Sequence, residues 1–326
     1  MTRRTLGRTG LPVSIMGMGS GGYDPLGAAS GRPDADMVRL LRRAFDLGIN
    51  VFDTSPDYGG GRSERLIGAA LQELPRDQVV VSTKLPLAVA PPGLPVVPAR
   101  PEALAPAVEA SLRRLRTDYV DVMLTAVADR PEHFGTVVED LFPVLDRLRR
   151  QGKVRFLGSS EQTRSDGAHR WLRHLLPADL ADVVMVGHNL INQSAQRSLF
   201  PACRRQDVGV LNIFTVRRVF RSAERVRQVI DELRRDGLLD APLPADDPLG
   251  WLTADGDCGS GDCESMVEAA YRYAAYTPGV TTVMCGTVDA HKLAQTARWI
   301  ERGPLAAAHI ERLARTFARV AQPVGD

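Results

Sequence analysis

Eight short apolar runs alternate with helical patterns along almost the whole of this 326-residue chain. The runs have the length of buried strands, and the stretches between them carry apolar residues at helical spacing, as in residues 36–47. Eight strand-then-helix units in about 300 residues predict a (β/α)8 TIM barrel that spans residues 1–326 as a single domain. The runs cover residues 13–18, 50–53, 79–84, 119–124, 154–157, 183–186, 208–214 and 281–285.

A doubly wound sheet is the alternative α/β fold for such an alternation. That fold normally shows a G-x-G-x-x-G turn that opens a helix directly after the first strand. Here the first run leads into Gly17-Met-Gly-Ser-Gly-Gly22, which is glycine-rich but opens no immediate helix. We therefore favour the barrel, and we expect the opening segment, residues 4–12, to form a small hairpin that caps the barrel bottom.

One region, residues 217–264, interrupts the regular alternation. A helix-like stretch over residues 223–236 is followed by a polar segment rich in Pro and Gly over residues 237–262. Loops of this length inside a compact domain are usually functional or disordered. Because the region follows the seventh strand, it would lie at the carboxyl end of the barrel, where active sites are built. We expect an inserted helix and a substrate loop or lid.

Charge and composition narrow the possible partners. The formal net charge of +2 gives no reason to expect nucleic acid as a partner. No apolar run approaches the roughly 20 residues of a membrane span, and the N-terminus lacks the apolar core of a signal peptide. Four cysteines are too few for a disulfide framework, so a reducing, cytoplasmic setting is expected. We expect a small-molecule substrate, and we make no prediction of oligomeric state.

A tyrosine and two charged residues stand at the ends of neighbouring predicted strands. Asp53 ends one run, Tyr58 lies in the loop after it, and Lys84 ends the next run. A phenol with a pKa of roughly 10 is a poor acid at neutral pH, and a nearby ammonium lowers that pKa. Asp53 or Lys84 alone would be more typical of a structural ion pair. Together the three favour a catalytic group in which Lys84 lowers the pKa of Tyr58, Asp53 orients Lys84, and Tyr58 acts as general acid or base.

These residues belong to a wider set of motifs, and with them the chain resembles the aldo-keto reductases over nearly its whole length. The motifs are Arg4-Thr-Leu-Gly-Arg-Thr-Gly-Leu, Phe52-Asp-Thr-Ser-Pro-Asp-Tyr-Gly, Ser63-Glu-Arg-Leu-Ile-Gly, Ser82-Thr-Lys84, Ser111-Leu-Arg-Arg-Leu with Asp118-Tyr-Val-Asp121, Gly152-Lys-Val-Arg-Phe-Leu-Gly158, and Pro278-Gly-Val-Thr. The resemblance implies hydride transfer between a nicotinamide cofactor, usually NADPH, and a carbonyl. It also implies a catalytic tetrad in which Asp53, Tyr58 and Lys84 match three members.

The fourth member of that tetrad is absent. The family has a histidine at the end of the strand that begins Asp118-Tyr-Val-Asp121, and Ala126 holds its position here. Loss of one such preorganised donor costs a carbonyl reductase roughly 3–4 kcal/mol of transition-state stabilisation. A one-residue shift would bring Thr125 to the pocket as a weak substitute. His188 is another candidate, although it is more typical of an ordinary polar loop residue.

Other departures from the family lie on the expected cofactor side. The Ser-Asn pair that holds the nicotinamide carboxamide aligns with Ser160 and Glu161, and a family Gln aligns with Met185. The stacking Tyr aligns with Ile213, although the neighbouring Phe214 offers a ring. Arg217 or Arg218 is a candidate pyrophosphate ligand, and a solvated helix start is an equally good interpretation of both. The resemblance adds the glycine-rich residues Gly19, Ser20 and Gly21 to the expected cofactor contacts.

The C-terminal part aligns with the family's adenosine-binding pattern over Gly286-Thr-Val-Asp-Ala-His-Lys-Leu-Ala-Gln-Thr296. Gly286, Thr287, Lys292 and Gln295 fall at contact positions. Lys292 is a candidate partner for a 2′-phosphate, so the resemblance implies NADPH, with NADH as the alternative.

Two cysteines in the polar segment invite a metal interpretation. Cys258 and Cys263 form a single C-x4-C pair, which without further Cys or His ligands is poor evidence for zinc. We predict no metal site, and two thiols or a reversible disulfide remain open there.

Three functions follow from these residues. The first is an NAD(P)H-dependent oxidoreductase acting on a carbonyl or alcohol. The second is a redox-neutral dehydratase, lyase or isomerase that uses Tyr58 and Lys84 for acid–base chemistry on the same scaffold. The third is a non-catalytic binding protein, which the retention of Asp53, Tyr58 and Lys84 disfavours.

Overall fold

A computed structural model describes residues 1–89, 97–126, 131–161, 167–253 and 263–321 of the protein. Within these ranges, no helix has the length and apolar character that crossing a membrane requires.

Eight parallel strands close into a barrel, which confirms the predicted fold. The strands of the chain are β1 (Arg3–Thr5), β2 (Pro12–Ser14), β3 (Met16–Gly19), β4 (Val51–Asp53), β5 (Val80–Pro86), β6 (Ala88–Val89), β7 (Val97–Pro98), β8 (Val120–Ala126), β9 (Val154–Ser160), β10 (Val183–Gly187), β11 (Gly209–Ile213) and β12 (Thr282–Cys285). The barrel order is β3-β4-β5-β8-β9-β10-β11-β12, and β12 pairs with β3 to close it. Two antiparallel pairs, β1-β2 and β6-β7, lie outside the barrel.

Helices follow the barrel strands, because amphipathic stretches cover the outer face of the sheet. The spacing predicted over residues 36–47 is confirmed, since Met37, Leu40, Leu41 and Ala44 are the buried side chains of the first helix. Gly48 and Gly152 lie after helices with φ of 85° and 76°, a conformation that glycine adopts without strain. The helices are α1 (Asp34–Asp46), α2 (Arg62–Leu71), α3 (Pro101–Leu115), α4 (Phe134–Thr136), α5 (Phe142–Arg150), α6 (Arg170–Leu175), α7 (Ser194–Ser198), α8 (Phe200–Arg205), α9 (Ala223–Arg235), α10 (Met266–Tyr276), α11 (Ala290–Glu301) and α12 (Ala307–Thr316).

Alternate residues of each barrel strand face the interior, which is filled by a separate apolar cluster. This cluster contains Leu6, Leu11, Val13, Val51, Val80, Val122, Leu124, Val183, Met185, Leu211 and Met284. Leu6 comes from the turn between β1 and β2, and a Cβ added to Gly209 would lie 2.6 Å from its Cδ1. The hairpin therefore plugs the amino-terminal end of the barrel, as predicted.

The first predicted strand, residues 13–18, is wrong as a single element. Its first part belongs to β2 of the hairpin and its second part to β3 of the barrel, with a bend at Ile15. The side chain of Asn50 holds this bend, because its Oδ1 accepts from Ser14 N at 2.8 Å. A continuous apolar run cannot show where one strand leaves a sheet and another begins.

A second apolar cluster lies beside the barrel and contains residues of α9, α10 and α12. The predicted helix within residues 217–264 is present as α9, and Ser222 Oγ accepts from Arg225 N at its start. The described part of the polar segment packs into this cluster through Leu243, Leu249 and Trp251. Its role as a substrate loop stays a prediction, and residues 254–262, including Cys258, lie outside the described residues.

Candidate active site

An ion pair between Asp53 and Lys84 lies at the carboxyl end of the barrel. Asp53 follows Val51 in the alternation of β4, and Lys84 follows Val80 in that of β5, so both side chains face inward. Lys84 Nζ donates to Asp53 Oδ1 at 2.9 Å and to Oδ2 at 2.8 Å. It also donates to the carbonyl oxygen of Thr54 at 2.9 Å. Ser82 Oγ donates to Asp53 Oδ1 at 2.9 Å, so the carboxylate is held from two neighbouring strand positions.

Tyr58 stands next to this pair, as the sequence predicted. Lys84 Nζ lies 4.7 Å from the centre of the Tyr58 ring. The opposite side of the pocket is formed by the backbone of Gly21, because a Cβ added there would lie 2.4 Å from Tyr58 Cζ. Distances below about 3 Å exclude a side chain at that position. Gly21 therefore lets the β3 loop approach the phenol closely.

The direction of the pKa shift of Tyr58 differs from the sequence-based expectation. Burial raises the pKa of Tyr58 above its usual range, and the charge of Lys84, which lowers it, does not compensate. Burial also disfavours the charged form of Lys84, but the adjacent Asp53 carboxylate outweighs this and the pKa of Lys84 is raised. The expectation that Lys84 brings the pKa of Tyr58 below its ordinary value is therefore wrong, because burial outweighs the lysine charge and Asp53 adds to the upward shift of this pKa. Tyr58 is a protonated phenol at neutral pH.

Ala126, at the position of the missing histidine, is the last residue of β8. Ala126 pairs with Pro86 of β5 and Ser160 of β9 and is half-buried. Thr125 is no substitute, because its fully buried Oγ1 lies 2.8 Å from Ser159 Oγ and 3.1 Å from Gly158 O on the helix side of the sheet, where its one proton is used.

His188 is a fully buried packing residue and not the ordinary polar loop residue that the sequence favoured. Its ring stacks on Tyr273 at 5.6 Å and meets Phe200 edge-on at 5.3 Å, both measured between ring centres. Burial lowers the pKa of His188 to about 3, so the ring is neutral.

Ser160 and Glu161, the expected carboxamide contacts, follow each other at the end of β9. Both are buried, with 6% and 5% of their surface exposed. Glu161 Oε1 accepts from Gly187 N at 2.8 Å, and Oε2 lies 2.5 Å from His169 Nδ1. Both carboxylate oxygens of Glu161 thus have partners within the protein, so a nicotinamide would have to share them.

Two arginines after β11 contact aromatic rings. The guanidinium of Arg217 lies 3.6 Å from the ring centre of Phe214, and that of Arg218 lies 4.1 Å from the ring centre of Tyr23. Phe214 has a φ of 63°, which is uncommon for a residue other than glycine. Ile213, at the position of the stacking tyrosine, packs against the barrel-interior cluster. The loops after the first and seventh barrel strands therefore meet through Arg218 and Tyr23.

The backbone of Gly286 lies near that of Gly19 and Gly21, between the ends of the first and eighth barrel strands, and these three glycines form a cradle. A Cβ added to Gly286 would find its nearest atoms at 3.7 Å, in Gly19 O, and 3.9 Å, in Gly21 O. Ser20 Oγ is buried and has no hydrogen-bond partner among the residues that the structure describes. The cradle leads to α11, where Asp289 Oδ1 accepts from His291 N and Lys292 N. Lys292 is exposed, and Thr287 and Gln295 are half-buried on the same segment.

The described ranges contain no group of three or more His, Cys, Asp or Glu side chains that would hold a metal ion. Cys263 is buried, and its Sγ lies 3.4 Å from Arg272 Nη1.

Three residues at the site carry contacts that the sequence did not assign. Ser82 donates a hydrogen bond to Asp53, and the alternation of Ser82 with Val80 and Lys84 predicts that the Ser82 side chain faces inward. The contact between Gly21 and the Tyr58 ring and the contact between His169 and Glu161 join distant segments, and no local pattern indicates either.

With this geometry in place, comparison with known sequences decides the family. The sequence model of the Aldo/keto reductase family matches residues 16–316. The protein belongs to this family.

Curated relatives share part of the chain. It is 34% identical to L-galactose dehydrogenase of Arabidopsis thaliana over 216 residues and 32% identical to NADH-specific methylglyoxal reductase of Escherichia coli over 214 residues. The aligned parts cover 64% and 63% of this chain. They cover 63% and 64% of the relatives, so each match spans under two thirds of the relative.

Solved structures share the fold over nearly the full length. The holo form of an aldo-keto reductase from Bacillus halodurans superposes with a TM-score of 0.68 at 22% identity, covering 96% of both chains. An aldo-keto reductase from Klebsiella pneumoniae in complex with NADPH superposes with a TM-score of 0.66 at 21% identity, covering 99% of this chain and 100% of that one. At these identities the likeness establishes the barrel.

Proposed function

We propose that this protein is an NADPH-dependent reductase of small carbonyl compounds that also catalyses the reverse alcohol oxidation, with NADH as the alternative cofactor. The observation that carries the proposal is the position of Lys84, which lies between the Asp53 carboxylate and the ring of Tyr58. When bound, the nicotinamide cofactor supplies or accepts the hydride.

Tyr58 provides the proton in this proposal. Tyr58 is half-buried, and desolvation raises the pKa of its phenol, so it carries its proton at neutral pH. In reduction Tyr58 Oη donates this proton to the substrate oxygen, and in oxidation the phenolate takes a proton from the alcohol. Lys84 stabilises the phenolate formed in reduction, because its ammonium is the nearest positive charge. Asp53 and Ser82 keep Lys84 in place.

The residues at the barrel mouth fit a dinucleotide. Gly19 and Gly286, where an added Cβ would meet no atom closer than 3.7 Å, admit a backbone-level approach. Ser20 Oγ, which has no hydrogen-bond partner among the described residues, offers a hydrogen bond. Arg217 and Arg218 are the candidate pyrophosphate ligands, and Phe214 offers a ring. Thr287, Lys292 and Gln295 are the candidate adenosine contacts, and Ser160 is the candidate carboxamide contact. Glu161 is assigned no direct contact, since its oxygens are engaged.

The names of the relatives support the substrate class. L-galactose dehydrogenase and NADH-specific methylglyoxal reductase act on small, polar carbonyl or hydroxyl compounds. A small substrate also agrees with Ala126, which leaves room but no donor where the family has a histidine.

A redox-neutral reaction is the second candidate, and Ala126 is the observation that favours it. Without a donor at that position, Tyr58 and Lys84 retain acid–base chemistry while the polarisation of a carbonyl is weakened. Dehydration or isomerisation of a hydroxylated substrate needs only the acid–base chemistry.

One experiment separates the two candidates. NADPH and NADH are titrated by the fluorescence of the three tryptophans, and a panel that includes methylglyoxal and aldoses is then offered with each cofactor. Reductase activity predicts saturable binding and loss of the nicotinamide absorbance with substrate. Product formation with unchanged absorbance would establish the redox-neutral reaction, and absence of both binding and turnover would overturn both candidates.

A further inference from the structure

A buried chain of hydrogen bonds runs from the end of β9 to the start of α7, outside the groups assigned to proton transfer. Glu161 Oε2 lies 2.5 Å from His169 Nδ1, and His169 Nε2 lies 2.8 Å from Ser194 Oγ. Ser194 Oγ in turn lies 2.7 Å from Asn192 Oδ1. The side chains of His169 and Glu161 are 1% and 0% exposed.

The order Ser194–His169–Glu161 resembles that of a nucleophilic triad, but the direction of hydrogen-bond donation is different. In a triad the serine hydroxyl donates to the histidine, whereas here it donates to Asn192. The backbone N–H of Ser194 donates to Asn192 Oδ1 at 3.1 Å, so this atom is the amide oxygen and an acceptor. Ser194 Oγ, at 2.7 Å from the same acceptor, must spend its only proton there. A serine whose proton is committed to an amide oxygen is not activated by histidine.

The direction of this bond determines the protonation of His169. Because Ser194 Oγ has no proton left for the ring, His169 Nε2 must be the donor between them. A neutral ring with its proton on Nε2 would turn the lone pair of Nδ1 toward the Glu161 carboxylate at 2.5 Å, which is repulsive. One further proton must therefore lie between Nδ1 and Oε2, on either atom.

The backbone of His169 points to a functional constraint as well. Its φ of 55° is in the left-handed region, which costs a non-glycine residue energy and persists only where surrounding contacts impose it. Here the contacts are those of the two ring nitrogens. Glu161 links the ends of β9 and β10, because its other oxygen accepts from Gly187 N, and the His169 ring contacts this linking carboxylate.

We propose that His169 is a positioning residue that shares one proton with Glu161 and, through it, holds the barrel rim on which Ser160 faces the nicotinamide. The positioning role rests on the proposed function, because it presupposes that the protein binds a nicotinamide cofactor. The shared proton follows from the hydrogen bonds alone. The pair is neutral overall, so no bare carboxylate stands beside Ser160.

The shared proton is tested by nuclear magnetic resonance on protein labelled with 15N-histidine. The signal of His169 is assigned by its loss in His169→Leu or, should that variant not fold, by its shift in Glu161→Gln. We expect a protonated Nε2 and a far-downfield proton signal that disappears in Glu161→Gln. A ring with an unprotonated Nε2, or labelling of Ser194 by a fluorophosphonate, would establish the triad direction and overturn the proposal.

The positioning role is tested by NADPH affinity and thermal stability measured together. His169→Leu removes the contact of His169 with Glu161 Oε2, and we expect roughly tenfold to hundredfold weaker NADPH binding. Glu161→Gln can keep the bonds to His169 and Gly187, because its amide N–H donates to Nδ1 and its oxygen accepts from Gly187 N, so it should weaken binding far less.

The double variant His169→Leu/Glu161→Leu distinguishes positioning from plain stability. Removing both polar groups should restore thermal stability but not NADPH affinity. Recovery of both would show a merely structural pair and overturn the positioning role. Lack of NADPH binding by the unmodified protein would instead overturn the proposed function and the positioning role, while the resonance experiment would still decide the shared proton.

Discussion

Lys84 Nζ donates to both carboxylate oxygens of Asp53, at 2.9 and 2.8 Å, across two neighbouring barrel strands. The lysine side chain is 11% exposed and the aspartate side chain 6% exposed. At such low exposure each ion is stabilised by the opposite charge of its partner, because an isolated buried ion is strongly unfavourable. The pair therefore fixes a positive charge beside Tyr58 and at the same time limits its effect on the pKa of the phenol.

Replacement of Tyr58 by phenylalanine should abolish most turnover and leave cofactor binding nearly intact. The substitution removes the proton donor and keeps the ring that packs on Gly21. General acid catalysis contributes roughly 10²- to 10⁴-fold, so kcat should fall by that factor. Steady-state kinetics and NADPH titration measure the two effects, and Tyr119→Phe, which alters a tyrosine beside Arg76, is the matched control. Full activity of Tyr58→Phe would refute both enzymatic candidates.

The pH dependence of the two directions should differ. Burial raises the pKa of Tyr58, so the protonated phenol needed for reduction persists above the ordinary value of roughly 10. We expect kcat/KM for reduction to show no loss from this group between neutral pH and that value, and kcat/KM for oxidation to rise with pH over the same range. A reduction rate that falls through neutral pH together with deprotonation of Tyr58 would contradict this assignment.

Asp53→Asn should destabilise the fold as well as the site. The substitution leaves the Lys84 ammonium buried without its partner, which typically costs about 3–5 kcal/mol in the free energy of unfolding. Urea denaturation measures this cost. Asp36→Asn removes an aspartate that pairs with Arg39 on the exposed side of α1, and such surface pairs contribute only about 0–1 kcal/mol. Similar losses in the two variants would show that the Asp53 pair contributes little.

Gly21→Ala should impair catalysis without touching a charged group. The new Cβ would lie 2.4 Å from Tyr58 Cζ, so either the ring or the β3 loop must move. A displacement of the proton donor by about 1 Å can cost roughly 10²-fold in rate. Gly135→Ala adds the same methyl group where no heavy atom lies within 4 Å, and its kcat should match that of the unmodified protein. Equal kcat values for all three proteins would show that the ring position is not limiting.

Ala126→His should increase carbonyl reduction. Ala126 ends β8 and faces the barrel interior, so an imidazole there adds the donor that the site lacks. Restoring one such donor is worth up to roughly 10²- to 10³-fold in kcat. Ala126→Leu fills the same space without a donor and serves as the control. A gain in the leucine variant, or a loss in the histidine variant, would indicate that the space itself receives part of the substrate.

Much of this arrangement was predictable from local sequence. The alternation of apolar runs and amphipathic stretches predicts the barrel. The runs have the length of buried strands, and the apolar residues between them repeat at the spacing of a helix with one buried face. The same alternation along β5 places Val80, Ser82 and Lys84 on one face. The inward direction of Lys84 and Asp53 therefore follows from residue spacing once the barrel is accepted.

Contacts between distant segments were not predictable in this way. The split of residues 13–18 depends on the side chain of Asn50, and the tight approach to Tyr58 depends on Gly21 in another loop. The link from Glu161 to His169 joins the end of β9 to the residue before α6. Each of these contacts is set by where loops meet at the rim of the closed barrel.

The sequence by itself determined the barrel, the family motifs and the three residues Asp53, Tyr58 and Lys84, because hydrophobic periodicity and strand alternation act locally. Only the tertiary structure decided the protonation of Tyr58 and the partners of Glu161. Those depend on burial and on the distances between charges, which arise when separate loops come together at the carboxyl end of the barrel.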